Sequence, residues 1–274
     1  MILLDGKATA QEVKDYLKKI VDSGVHRKLV IVQVGDNPAS NTYIKNKVKA
    51  CEYVGVECEV KRFKENISET ELCGHIARLN GDKSVDGIIV QLPLPPQIIE
   101  RRVLSVIRAK KDVDGFTDKN AGRLMHDYPV GHIPATPLGI KLLLLKYNID
   151  VEGKECVIVG RSNIVGKPMA HLMLGMDATV TIAHSHTKNL KEVCKRADIL
   201  IVAIGKPKMI NREYIKEGAV VIDVGINRDE NGKLCGDVDF DDVKDIVSAI
   251  TPVPGGVGPM TVAMLLNNVV RGRE

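Results

Sequence analysis

The chain contains no tryptophan and only three phenylalanines and six tyrosines among 274 residues. Proteins that grip single-stranded nucleic acid stack bases on aromatic rings, and this composition offers few such platforms. Charge of one sign is also scarce. Against 39 Lys+Arg stand 35 Asp+Glu, a net of +4, which suits anionic small molecules and falls short of the basic stripe of a nucleic-acid partner. No apolar run approaches the roughly 18 residues of a membrane span. The opening Met1-Ile2-Leu3-Leu4-Asp5-Gly6-Lys7 is too short and too early in charge for a secretory leader. Cys51, Cys58, Cys73, Cys156, Cys194 and Cys235 are scattered, with no C-x-x-C pair. That argues against a metal cage and for reduced thiols in a cytoplasm. Repeats and low-complexity tracts are missing too. The expectation is a cytoplasmic chain with no metal, no membrane and no nucleic-acid partner, long enough for two domains with cores of their own.

The most informative stretch that is present runs Val157-Ile158-Val159-Gly160-Arg161-Ser162-Asn163-Ile164-Val165-Gly166-Lys167-Pro168-Met169. A short apolar strand enters a glycine turn, and the turn enters a helix. Gly160 permits a sharp bend, the helix N-terminus points N–H groups and a favourable dipole at an anion, and Gly166 removes a side chain where helix and strand meet. Arg161 adds a fixed positive charge. The pattern G-x-S-x-x-x-G departs from the usual G-x-G-x-x-G of dinucleotide folds, so these residues alone leave open a plain strand–turn–helix. Further apolar runs at 178–183, 197–203 and 219–224 fit a parallel sheet buried on both faces. An acid at the end of the second strand would accept from a ribose 2′-OH and repel a 2′-phosphate. Here that end reads His184-Ser185-His186-Thr187, without a carboxylate. Ser185, Thr187 and the histidines can donate, and Arg161 can fork a phosphate. The reading favours NADP; a polar loop with no ligand competes with it.

The first half also alternates. Thr9, with Glu12 as its capping-box partner, opens a helix to about Asp22. Residues 29–34, 56–63 and 87–92 read as strands; residues 38–54, opened by Pro38, a segment capped by Ser68 with Glu71, and residues 97–108 read as helices. A joint containing Pro129, Pro134 and Pro137 leads to a helix over 138–147. Asn231-Gly232 suggests a late hairpin, and a last helix covers about 260–270. The fold class expected is α/β: two α/β domains with a cleft between them, the C-terminal one a Rossmann-type dinucleotide-binding domain. In the helix over 38–54, Ser40, Tyr43 and Lys47 share a face. Gln91 ends the third strand and Asp114 sits in the loop Asp112-Val113-Asp114-Gly115; strand ends and the loops after them line the ligand crevice of such sheets. A Tyr–Lys pair, an amide and a carboxylate could meet there for proton chemistry. On spacing alone they read equally as a half-buried Tyr, a solvated Lys, a strand-end amide and an Asx turn before Gly115.

Six blocks in order carry a resemblance: Ser40-x-x-Tyr43-x-x-x-Lys47, Val90-Gln91-Leu92-Pro93-Leu94-Pro95, Asp112-Val113-Asp114-Gly115, Pro134-Ala135-Thr136-Pro137, Gly160-Arg161-Ser162 with Gly166-x-Pro168, and 250–261. Through them nearly the whole chain resembles the bifunctional methylenetetrahydrofolate dehydrogenase/cyclohydrolase family. The resemblance implies oxidation of 5,10-methylenetetrahydrofolate to 5,10-methenyltetrahydrofolate with NADP⁺, then hydrolysis to 10-formyltetrahydrofolate, in the one-carbon metabolism that feeds purine biosynthesis. It implies catalytic roles for Lys47, Tyr43, Gln91 and Asp114, with the lysine central to hydrolysis and the aspartate on the pterin. It also implies folate contacts at Ser40, Pro254, Gly255, Gly256 and Val257. Cofactor contacts are expected at Gly160, Arg161, Ser162, Gly166, His184, Ser185 and Thr187. The implied domains are 1–136 with the C-terminal 255–274 for folate and catalysis, and 137–254 for NADP. A homodimer through the cofactor domain is implied as well. A short-chain dehydrogenase also uses Tyr-x-x-x-Lys, but there the pair follows the phosphate loop. A dehydrogenase without the hydrolase step and a non-catalytic NADP-binding module also compete with the bifunctional reading.

Overall fold

Runs of β-branched and aliphatic residues set the strands, and a computed structural model shows how they assemble. It describes residues 1–272 except Pro129; Pro129, counted above in the proline joint, lies outside the described residues. The first half contains β1 (Ile2–Leu3), α1 (Gly6–Asp22), β2 (Lys28–Val34), α2 (Pro38–Val54), β3 (Glu57–Phe63), α3 (Glu69–Gly81), β4 (Gly87–Val90), α4 (Glu100–Val106), α5 (Asp118–Met125) and α6 (Ala135–Lys146). The second half contains β5 (Glu155–Val159), α7 (Gly166–Leu174), β6 (Thr179–Ala183), α8 (Leu190–Cys194), β7 (Ile199–Val202), β8 (Val220–Asp223), β9 (Asn227–Arg228), β10 (Leu234–Cys235), α9 (Phe240–Val243), β11 (Ala249–Ile250) and α10 (Val257–Arg271).

The chain divides into two compact units. One comprises Met1–Gln11 with Thr136–Thr261; the other comprises Glu12–Ala135 with the residues from Val262 on. The sequence boundaries expected above put residues 1–11 and 255–261 elsewhere. Here they stand with the larger sheet, because β1 pairs in parallel with β11, Ile2 opposite Ala249. A two-residue strand gives no sign of a partner at the far end of the chain.

The first unit is built on a parallel sheet of order β1-β11-β8-β7-β5-β6. Cys156, Val157, Ile158 and Val159 of β5 are all essentially inaccessible, so both faces of the central strand are covered, as a parallel sheet requires. One core gathers Val157, Val159, Leu200, Val202, Val221 and Ile250. The order reverses at β5, with β6 on one side and β7 on the other; that is the point where open α/β sheets bind ligands. The hairpin over Asn231-Gly232 forms between β9 and β10, with Gly232 at φ +75 and a connection longer than two residues.

The second unit is built on a parallel sheet of order β3-β2-β4. Val30 and Val32 of β2 and Ile88 and Val90 of β4 pack with Leu72 and Ile76 of α3. Helix α3 starts as expected, with Ser68 Oγ accepting from the Glu71 N–H at 3.2 Å. Helix α1 starts three residues before Thr9. Asp5 is its cap and accepts from the Ala8 N–H at 2.9 Å, while Thr9 turns its hydroxyl back to the Asp5 carbonyl. Helix α5, absent from the sequence reading, is capped by Thr117, whose Oγ1 accepts from the Asn120 N–H at 3.4 Å. Among the described residues no helix is long and apolar enough to cross a membrane.

Candidate active site

In the second unit the sequence of α2 fixes three of the candidate residues. Asn37 Oδ1 accepts from the Ser40 N–H at 3.2 Å, so an asparagine closes the helix N-terminus and Pro38 takes the first helical position. The helix then presents Ser40, Tyr43 and Lys47 along one side. Ser40 is buried and Tyr43 is 43% exposed, which leaves its ring available to a flat ligand. Lys47 Nζ donates to Gln91 Oε1 at 3.1 Å. The amide of Gln91 cannot turn freely, because its Nε2 donates to the Leu92 carbonyl at 2.8 Å. The oxygen is thereby held toward the lysine. Helix α2 and the end of β4 bring amine and amide together across a sequence gap of 44 residues.

Asp114 reaches the same neighbourhood, since the Lys47 charge acts on it. Burial pushes its carboxyl up to about 6, opposed by Lys47 and helped by Asp112. The loop that carries it is organised by other residues. Asp112, 1% exposed, accepts from the Phe116 and Thr117 N–H groups at 3.1 and 2.7 Å and from Asn120 Nδ2 at 2.9 Å. The Asx-type turn therefore belongs to Asp112, and Asp114 is left out of its bonding. Asn268 of α10 donates to the carbonyls of Val113 and Ile133 at 2.9 Å. Gly115 has φ +73, and a Cβ there would lie 2.8 Å from the His132 carbonyl oxygen. Asp112, Asn120 and Asn268 were missed as supports of the site. The spacing Asp112…Thr117…Asn120 was the available signal for the first two; Asn268 had none.

In the first unit β5 delivers Gly160 at φ +135, where a Cβ would lie 2.4 Å from the Ala203 oxygen. Gly166 opens α7, and a Cβ there would lie 2.1 Å from the Gly160 oxygen and 2.9 Å from the Arg161 nitrogen. The helix N-terminus thus sits directly on the turn backbone, which leaves a cradle that a phosphate can enter. Ser162 Oγ accepts from the Val165 and Gly166 N–H groups at 3.1 and 3.4 Å, so it organises that N-terminus. Arg161 is exposed beside it. After β6, Thr187 Oγ1 accepts from the His184 N–H at 2.8 Å, and His184 Nδ1 accepts from the His186 N–H at 3.2 Å. This closes a short loop with Ser185 and His186 exposed and no acid among its residues 184–187. The fit to a dinucleotide with a 2′-phosphate is good: a glycine turn without side chains against which the bridging phosphates can lie, and a guanidinium and hydroxyls for the extra one.

The loop 254–257 also lies in the first unit. The Lys7 N–H donates to the Gly255 carbonyl at 2.8 Å, Gly255 has φ +108, and a Cβ on Gly6 would lie 1.8 Å from the Gly256 oxygen. Only glycines at 6 and 255 allow this approach. Gly6 is a residue the sequence reading passed over.

Residues 4–114 match the tetrahydrofolate dehydrogenase/cyclohydrolase catalytic domain, and residues 134–274 match the NAD(P)-binding domain of the same enzymes. The chain belongs to the tetrahydrofolate dehydrogenase/cyclohydrolase family. It is 56% identical over 276 residues to the bifunctional protein FolD of Agathobacter rectalis, covering 99% of each chain. Its fold superposes on the bifunctional FolD crystal structure from Campylobacter jejuni with a TM-score of 0.97, 50% identity and coverage of 99% and 98%. The Trypanosoma brucei FolD complexed with NADP and an inhibitor gives a TM-score of 0.93 at 35% identity, with coverage of 98% and 96%. In this family's terms, the Lys47–Gln91 pair lies in the catalytic-domain match and the Gly160–Gly166 turn in the NAD(P)-binding match.

Proposed function

We propose that this chain oxidises 5,10-methylenetetrahydrofolate to 5,10-methenyltetrahydrofolate with NADP⁺ and then hydrolyses the product to 10-formyltetrahydrofolate. The observation that carries the reading is the 3.1 Å hydrogen bond from Lys47 Nζ to an orientated Gln91, inside a segment that matches the family's catalytic domain. When bound, NADP⁺ supplies the hydride acceptor. The chain's own part in that step is positioning, since the donor nitrogens of the folate absorb the charge and no general base is required. Tyr43 offers its exposed ring, and Ser40 on the same helix shapes the folate contacts.

Hydrolysis asks more of the side chains. Water must add to the methenyl carbon and lose a proton beside a cation. Lys47 takes the proton, with Gln91 holding the amine on line. As the bond from the carbon to N5 breaks, the adduct's hydroxyl gives up its proton and N5 takes one, the formyl group stays on N10, and the proton held by Lys47 passes to solvent. Asp114 accepts two hydrogen bonds from the aminopyrimidine edge of the pterin, a bidentate match. On the cofactor side, Gly160, Ser162 and Gly166 shape the phosphate turn. Arg161, His184, Ser185 and Thr187 serve the 2′-phosphate, a preference supported by the missing acid after β6.

Mixing the protein with NADP⁺ and methylenetetrahydrofolate tests this. Methenyl absorbance rises and then decays, and NAD⁺ gives a slower rise. A rise without decay would leave a dehydrogenase only; no rise would overturn the assignment.

A pH effect follows from Asp114. Its carboxyl is raised to about 6 and the pterin contact needs the ionised form. Folate affinity is therefore full above about pH 7 and falls with acidification through pH 6, by about tenfold per unit below it. Fluorescence titration of a folate ligand checks this. In Asp114→Ala the affinity is weak and flat across the same range, while NADP⁺ affinity is unchanged.

We also propose a homodimer in a reducing cytoplasm, joined through the first unit. Strand β6 is an edge of the sheet, and Ile182 on it and Leu174 before it are exposed, the kind of apolar edge that a second copy covers.

A further inference from the structure

Asp223 and Asp237 are buried, at 3% and 0% exposure, and neither belongs to the folate cluster or the phosphate turn. A buried carboxylate is tolerated when its lone pairs are filled. Here loops fill them. Asp237 Oδ2 accepts from the N–H groups of Ile204 and Gly205 at 2.7 and 3.1 Å. Its Oδ1 accepts from the Lys206 N–H and from Asn227 Nδ2, both at 2.8 Å. Three consecutive N–H groups form a nest of the sort that holds anions; the chain's own side chain occupies this one. Asp223 in turn accepts from the N–H groups of Gly225, Asp237 and Val238 at 3.0, 3.0 and 2.9 Å. Its own N–H donates to Thr251 Oγ1 at 2.8 Å. The space is cut to these acids: a Cβ on Gly225 would lie 2.4 Å from Asp237 Cγ, and one on Gly236 1.8 Å from Asp223 Oδ2.

The place of this network in the fold gives it meaning. Residues 204–206 leave the C-terminal end of β7, residues 224–225 that of β8, and Thr251 that of β11. In an open α/β sheet a dinucleotide lies across these ends, with its 2′-substituted ribose at the strand next to the phosphate turn. That strand is β6, so the ends of β7 and β8 on the other side of β5 face the other half of the cofactor. A trans peptide points its C=O opposite to its N–H. With three N–H groups drawn to Asp237, the carbonyls of Ala203, Ile204 and Gly205 are turned away from it. The Ala203 oxygen indeed faces the Gly160 turn, at the 2.4 Å approach noted above. The next two carbonyls are acceptors suited to a primary carboxamide.

We infer that Asp237, anchored through Asp223, is a positioning residue that turns the carbonyls of Ile204 and Gly205 toward the nicotinamide carboxamide of the cofactor. The inference rests on the dinucleotide reading above. Titration calorimetry of wild type, Asp237→Asn and Asn227→Ala with NADP⁺ and with 2′,5′-ADP, which lacks the nicotinamide, tests it. Asp237→Asn loses NADP⁺ affinity by roughly tenfold or more and keeps 2′,5′-ADP affinity within about twofold. Asn227→Ala, which removes one donor to Asp237 and leaves the acid in place, shifts the same ratio in the same direction by a smaller factor. It carries the test if Asp237→Asn does not fold. Equal losses for both probes, or no loss for either, overturn the inference, since a merely structural acid would leave the ratio unmoved. Wild type binding neither probe would instead overturn the dinucleotide reading itself.

Discussion

Lys47→Met is expected to stop the second step while sparing the cofactor. The substitution keeps an unbranched stem of similar length and removes the amine, so Gln91 Oε1 loses its donor and water loses its proton acceptor. General-base catalysis is worth about 10²- to 10⁴-fold, and cyclohydrolase turnover should fall by that factor. Supplied with methenyltetrahydrofolate directly, the variant leaves its absorbance near the uncatalysed decay. NADP⁺ affinity, measured separately, stays within about twofold of wild type, because the Gly160 turn belongs to the other unit's fold. Gln91→Ala should give a smaller loss, since it loosens the amine without removing it. Undiminished hydrolysis by Lys47→Met would remove the lysine from the mechanism.

Gly160→Ala is expected to do the reverse. One methyl group meets two obstacles. The backbone is at φ +135, and the Ala203 carbonyl oxygen would lie 2.4 Å from the new carbon. Strain of that kind costs on the order of 1–3 kcal/mol, and relief requires the turn to move off β7. The start of α7, which rests on the turn backbone, shifts with it. NADP⁺ affinity should fall by about 10- to 100-fold, and dehydrogenase activity at fixed cofactor with it. Hydrolysis of added methenyltetrahydrofolate should persist, as Lys47, Gln91 and Asp114 are untouched. An unchanged NADP⁺ dissociation constant would show that the turn is not the phosphate site.

The two variants probe features that differ in how openly the sequence announced them. The turn was legible because its requirement is local: apolar residues, a glycine that can bend, another that lets a helix approach. The strands of the larger sheet were legible for a similar reason, since double burial leaves nearly unbroken aliphatic runs such as Ile199–Val202. The meeting of Lys47 with Gln91 was readable as a possibility from strand-end logic, but its hydrogen bond depends on the Leu92 carbonyl holding the amide, which no spacing encodes. The roles of Asp112 and Asp114 could not be told apart, as either acid can cap a turn before glycine. Helix α1 began at Gly6, capped by Asp5, because Gly6 and Lys7, which look like a turn, are held by Gly255 and Gly256 from far along the chain. Helix α5 was short and polar, and only its Thr117 cap could have revealed it. The division into units was the least legible of all, because both ends of the chain contribute to it through contacts that local patterns do not record.

The pairing of β1 with β11 sets a schedule for biosynthesis. Strand β1 is made long before its partner β11, so the larger sheet stays open along that edge until β11 follows. Contacts this distant in sequence slow folding and leave strand edges exposed in the interim. The nascent protein thus meets its greatest risk of self-association before β11 is made, and chaperone dependence should concentrate there.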